Sequence, residues 1–177
     1  MKLYCVAAFL GCISPGVFAA AEAPGVIFAL GAAEDVYEAR LGVQVPWHSD
    51  WQLRHADHFS TIFEASVGYW RGDKSNRVQR AVTDLGLMPV LRYHPAGAQR
   101  GLFFEAGLGA HLLSRTRLDD AHRYGTAFQF GEVAGIGTYF GGGKGELALR
   151  VHHISNGSIK QPNDGETFFE ARVSWPF

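Results

Sequence analysis

The chain has 177 residues, one domain's worth, and a formal net charge of −1, which excludes the strongly basic surface a nucleic-acid partner requires. It carries 22 glycines, 13 phenylalanines, 6 tyrosines and 4 tryptophans without a long apolar run. That profile is unusual for a soluble helical protein and suits an exported β-barrel, whose signal is alternation and not bulk hydropathy.

Residues 1–23 read as a secretory signal peptide. Lys2 gives a positive start, residues 3–10 are apolar, Ser14-Pro15-Gly16 breaks the run, and Ala19, Ala21 and Ala23 offer small-residue cleavage positions. The apolar run is too short to cross a bilayer as a helix. Both cysteines, Cys5 and Cys12, lie in this segment, so the mature domain at 24–177 has none. An exported domain without disulfides is held by its core or by the membrane.

From residue 25 onward the chain alternates. Residues 25–32 predict a short first strand. From Val36, the apolar Tyr37, Ala39, Leu41, Val43 and Val45 alternate with Glu38, Arg40, Gly42 and Gln44, giving one apolar and one polar face. Residues 61–71 set Phe63, Ala65, Val67 and Tyr69 against Glu64, Ser66 and Gly68. In 81–93, Leu85, Leu87, Leu91 and Tyr93 oppose Asp84, Gly86 and Arg92. Pro89 in that run is expected at a bulge or an edge, because it removes a ladder bond.

Residues 101–113 place Phe104, Ala106, Leu108, Ala110 and Leu112 opposite Glu105, Gly107, Gly109 and His111. In 127–140, Phe128, Phe130, Ala134, Ile136 and Phe140 share an apolar face that Glu132 interrupts. Residues 145–155 carry Leu147, Leu149 and Val151, then His153 and Ser155 on the same face. The last run, 167–177, alternates Phe169, Ala171, Val173, Trp175 and Phe177 with Glu170, Arg172 and Ser174.

These runs predict an all-β fold, an eight-stranded antiparallel transmembrane β-barrel, since each is close to the roughly 9–11 residues that a tilted spanning strand needs. An open soluble sandwich is the competing fold; a chain that finishes in phase on the aromatic Phe177 favours the barrel. So narrow a barrel is filled by its own side chains. Glu38, Glu64, Asp84, Glu105, Arg40, Arg92 and Arg172 are expected to form an ion-paired lumen with no pore, and Trp47, Trp51 and Trp70 an interfacial aromatic girdle. With both termini periplasmic, 94–100 and 141–144 are inner turns and 114–126 and 156–165 lie outside.

The candidate chemistry sits at the end of the seventh run. In an extended strand His153 and Ser155 point the same way, their Cα atoms roughly 6.6 Å apart. An imidazole nitrogen can then reach a serine hydroxyl, the geometry of a general base and its nucleophile. Glu166, across a short connection, can return to the other ring nitrogen and fix the tautomer. Taken alone the spacing is a weak signal, which a strand end whose polar residues meet solvent also produces. Facing lipid at the outer end, the pair invites a lipid substrate. The residues leave open a lipid esterase, a phospholipase or acyltransferase, and a non-enzymatic barrel.

The stretch His153-x-Ser155-Asn156, the loop Lys160-Gln161-Pro162-Asn163-Asp164-Gly165-Glu166 and the aromatic-ended last strand resemble the PagL-type lipid A 3-O-deacylases. The resemblance extends to 43–51, Gly68-Tyr69-Trp70 and 103–109. It implies an integral outer-membrane barrel that hydrolyses the ester-linked acyl chain at the 3-position of lipid A in lipopolysaccharide, with no metal or other cofactor, and a homodimer. By position, His153 is implied as general base, Ser155 as nucleophile and Glu166 as the residue orienting the histidine. Asn156 and the Gly157 turn are implied as oxyanion donors. Alternation back from Phe177 puts Thr167, not Glu166, on the outward face, so Glu166 needs a bulge or a reach from the loop; Asp164 is the fallback acid. Arg115, Arg117 and Arg123, with His122, are expected at the outer rim near the lipid A phosphates.

Overall fold

The computed structural model describes residues 23–52, 57–72, 81–96 and 101–177, with the backbone alone at 48–52. The predicted signal peptide, apart from Ala23, lies outside the described residues. Eight strands follow one another: β1 (Gly25–Ala32), β2 (Val36–Gln52), β3 (His58–Gly72), β4 (Ala81–His94), β5 (Phe103–Leu113), β6 (Phe128–Phe140), β7 (Gly145–Ser155) and β8 (Glu166–Pro176). Each pairs antiparallel with the next, and β1 pairs with β8, so the sheet closes into a barrel. Closure leaves no unpaired strand edge. The apolar face of each strand turns outward, exposing residues such as Leu41, Leu85, Leu108, Leu149 and Phe169. No helix among the described residues is long and apolar enough to cross a membrane; the apolar belt is made by strands.

Pro89 is accommodated without the expected bulge or edge. β4 keeps one register on β5 from Asp84↔Leu113 to Tyr93↔Phe104, and only the partners of Met88 and Pro89 drop out of the ladder. The irregularities fall instead in β2, between Pro46 and His48 and between Ser49 and Trp51.

Inside, arginines and carboxylates interlock as expected. Arg150 reaches Glu64 at 2.7 and 2.9 Å and Glu105 at 2.6 Å. Arg92 bridges Glu105 at 3.1 Å and Glu146 at 2.9 Å, with its guanidinium 4.5 Å from the centre of the Phe103 ring. Arg172 joins Glu146, Glu64 and Gln44. A charge buried in this way is tolerable only with partners, and here each has them.

Towards the end of the barrel opposite the chain termini, the distal end, the filling changes from ionic to apolar. Val36, Trp70, Val82, Leu113, Ile154 and Phe168 from the strands pack with Leu118 and Tyr124 of the 114–127 loop. The loop therefore plugs the distal mouth. Trp70 belongs to this plug and not to an outer girdle: it is fully buried, donates to Glu38 at 2.8 Å and meets Tyr124 edge-on. Its position shares the inward phase of Glu64 and Gly68. Trp47 does lie outside, 67% exposed.

Candidate active site

On β7 the inward positions are taken by Arg150, His152 and Ile154, all buried, so His153 and Ser155 emerge half-buried on the outer face near the distal end. The register sets their neighbours. His153 stands between Glu132 of β6 and Thr167 of β8, and Ser155 stands beside Phe130 of β6. His153 Nδ1 lies 2.8 Å from Thr167 Oγ1. With Nδ1 engaged there, Nε2 is the ring nitrogen left for the hydroxyl of Ser155.

Gly165 closes this pair from the loop side. Its φ of +65° favours glycine. A Cβ on it would lie 3.3 Å from both His153 Cε1 and Ser155 Cβ, so the backbone of the returning loop runs directly against both side chains.

The structure does not bring Glu166 to His153. The β7–β8 register runs unbroken from Glu146↔Ser174 to Ile154↔Glu166, so no bulge changes the phase at the start of β8. Glu166 therefore faces inward, buried, and accepts the Tyr124 hydroxyl at 2.7 Å, with His122 Nε2 4.0 Å away. Asp164 is exposed and accepts the Arg123 backbone N–H at 2.8 Å. Thr167 occupies the position expected of the acid. Its outward phase was the signal in the sequence; Gly165 had none beyond its place in an Asp-Gly turn.

Asn156 is fully buried, and its side-chain amide donates to the carbonyls of Tyr124 at 2.8 Å and Lys160 at 2.7 Å. Its backbone N–H donates to Asn163 Oδ1 at 2.9 Å. These donors are spent on bracing the 156–165 loop itself and tying it to the 114–127 loop. Gly125 adds to the tie, since a Cβ there would fall 2.4 Å from the Pro162 carbonyl. Gly157, exposed with φ +60°, opens the turn immediately after Asn156.

The arginines divide. Arg117 is paired with Asp120 and bridged across the loop to Arg123. Arg115 and Arg123 are exposed, and the backbone ties between Arg123 and Asp164 hold Arg123 against the 156–165 loop that ends at the His153–Ser155 pair. His122 Nδ1 contacts Asp119 at 2.8 Å. Burial works against a charged His122, but the hydrogen bond to Asp119 and the attraction of Glu166 and Asp119 outweigh it and raise its pKa. Burial likewise opposes a charged Asp119, and hydrogen bonds from the His122 ring and from the Ala121 and His122 backbone outweigh that and lower its pKa.

Among the described residues one buried trio, Glu38, His152 and Glu170, has metal-ligating chemistry. A cation already sits there: Arg40 lies 2.6 Å from Glu38, 2.9 Å from His152 Nδ1 and 3.7 Å from Glu170. The trio belongs to the lumen packing.

Comparison with known proteins converges on one group. The profile of the family described as lipid A 3-O-deacylase (PagL) matches residues 35–176. A lipid A deacylase PagL from Pseudomonas aeruginosa is 31% identical over 166 residues, covering 93% of each chain. A lipid A deacylase PagL from Bordetella bronchiseptica is 32% identical over 114 residues, 64% of this chain and 61% of that one. The crystal structure of the outer membrane enzyme PagL superposes with a TM-score of 0.74 at 30% identity, covering 86% of this chain and 99% of the other.

Proposed function

The chain belongs to the lipid A 3-O-deacylase (PagL) family, and from that membership we propose that it is an outer-membrane esterase that removes the acyl chain at the 3-position of lipid A. The observation that carries the proposal is the outward-facing His153–Ser155 pair, with the His153 Nδ1 held by Thr167. A nucleophile on the outside of a barrel meets lipid, and an ester near the headgroup layer is what it can attack.

In this reading the distal end faces the outer leaflet. Ser155 Oγ attacks the ester carbonyl while His153 Nε2 takes its proton. The tetrahedral intermediate collapses, His153 returns the proton to the sugar oxygen, and the acyl chain stays on Ser155. Water then attacks the acyl-serine, His153 again taking and returning a proton, and a free fatty acid leaves. Thr167 fixes the tautomer by holding Nδ1. The backbone N–H of Gly157 is assigned to the oxyanion, and Asn156 acts by holding the turn that presents it. One such donor contributes about 3 kcal/mol. Arg123 and Arg115 are assigned to the lipid A phosphates. The steps need no cofactor. A homodimer is part of the same reading, and sedimentation of the micelle-bound protein tests it.

Purified protein folded in micelles should release free fatty acid from lipid A, and a long-chain sulfonyl fluoride should label Ser155 in wild type but not in His153→Ala. Labelling elsewhere, or equal labelling in the variant, would overturn the assignment of the pair.

A further inference from the structure

The strands hold their carboxylates in the lumen, where Glu38, Glu64, Asp84, Glu105, Glu146 and Glu170 are all buried and paired with arginine or histidine. Glu132 departs from this arrangement. It lies on β6 between Phe130 and Ala134, exposed on an outward face whose other members include Phe128 and Ile136. Among the strand residues with a described side chain it is the one carboxylate that faces out. A charge on the lipid-facing surface of a barrel is disfavoured, increasingly so with depth. Its presence there calls for something that uses it.

The register names that partner. Glu132 is directly opposite His153, and His153 is directly opposite Thr167, so the three form one row across β6, β7 and β8. Cross-strand neighbours of this kind hold their Cβ atoms about 5 Å apart. The group that engages His153 Nδ1 is a neutral hydroxyl, and Glu166 is sealed in the lumen by Tyr124. When His153 takes the Ser155 proton, the one outward strand carboxylate among the described residues stands at the register position directly opposite the imidazolium that forms.

We propose that Glu132 supplies the negative charge that stabilises the His153 imidazolium, so that the usual single acid is divided between Thr167, which orients the ring, and Glu132, which compensates its charge. This rests on the deacylase reading for its substrate and on the register for its geometry. Glu132 acts through His153 and is a positioning residue. It takes no proton and forms no bond to substrate.

The test compares wild type, Glu132→Gln, Glu132→Asp and the double variant Glu132→Gln/Thr167→Glu. Each is folded in micelles and checked by heat-modifiable mobility. Two rates are read for each: lipid A deacylation, and Ser155 labelling by a long-chain sulfonyl fluoride. Glu132→Gln should lower kcat by roughly tenfold or more with KM within about twofold, the loss expected of a removed charge interaction. Glu132→Asp should retain most of the rate. The double variant, which restores a carboxylate on the other flank of the ring, should recover part of the loss. The labelling rate should follow the same order. If wild type labels at Ser155 but leaves lipid A intact, the substrate reading fails and the labelling series still decides the role of Glu132. A folded Glu132→Gln that labels within about twofold of wild type overturns the proposal.

Discussion

Replacing Thr167 by Val keeps the branched shape and removes only the hydroxyl that meets His153 Nδ1 at 2.8 Å. A hydrogen bond between neutral groups contributes about 1 kcal/mol net, and one to a charged group about 1.5–3 kcal/mol. In the proposed mechanism the first applies to the resting imidazole and the second to the imidazolium of the transition state. Only the difference, about 1 kcal/mol or somewhat more, accelerates the chemical step. Since 1.4 kcal/mol is a factor of ten, kcat should fall by roughly five- to tenfold, with KM little changed. Thr167→Ser, which keeps the hydroxyl, should stay near wild type. The assay is initial-rate release of fatty acid from lipid A by folded protein in micelles. A Thr167→Val enzyme with wild-type kcat would refute the reasoning, because the Nδ1 contact would then do nothing for the reaction.

Arg150→Met leaves Glu64 and Glu105 short of a buried partner; it should destabilise the barrel by about 3–5 kcal/mol in urea unfolding, and an unchanged midpoint would contradict the ion-paired lumen. Gly165→Ala forces a side chain onto a φ of +65° and against His153 and Ser155, so the heat-modification temperature and kcat should both fall, and unaltered kcat would show that the loop does not shape the pair. The Asp119–His122 contact predicts a pH window for the distal loop. His122 is raised, so its contribution is complete below its ordinary value of 6.5 and is lost as the pH rises through the raised one. Asp119 is lowered, so its contribution is complete above its ordinary value of 3.8 and is lost as the pH falls through the lowered one. Hydrogen exchange at the Leu118 and Tyr124 amides, which bond across the loop, should therefore be slowest between those limits after correction for intrinsic rates, and protection that stays flat to alkaline pH would contradict the pairing. Arg123→Ala should raise KM for lipid A several-fold with kcat little changed; an unaltered KM would remove Arg123 from substrate binding.

Alternation was sufficient to read the strands, the outward pair on β7 and most of the lumen, because a period of 2 assigns every strand residue to a face. It also assigned Thr167 outward and Trp70 inward. At Glu166 and Trp70 phase prevails over chemistry: an acid beside His153 and a tryptophan at the interface would both need the outward face, and both side chains sit on the inward one. The 114–127 loop supplied the reason the phase held. By lodging Leu118 and Tyr124 in the distal mouth it makes an apolar lumen that accepts Trp70 and Phe168, and it gives the buried Glu166 a hydroxyl to accept from.

Asn156 was beyond the reach of any strand pattern. Its amide partner, the Tyr124 carbonyl, lies 32 positions earlier in a loop of no regular period. Glu132 was visible only as a break in an apolar face. Its meaning depends on the β6–β7 register, which pairs it with His153, and register is a property of two strands together.

The most direct test of the account is mass spectrometry of lipid A from cells expressing wild type or Ser155→Ala at equal levels in the outer membrane. Loss of the chain at the 3-position with wild type, and intact lipid A with the variant, is the predicted result. Intact lipid A with folded wild type, or equal loss with Ser155→Ala, would contradict it.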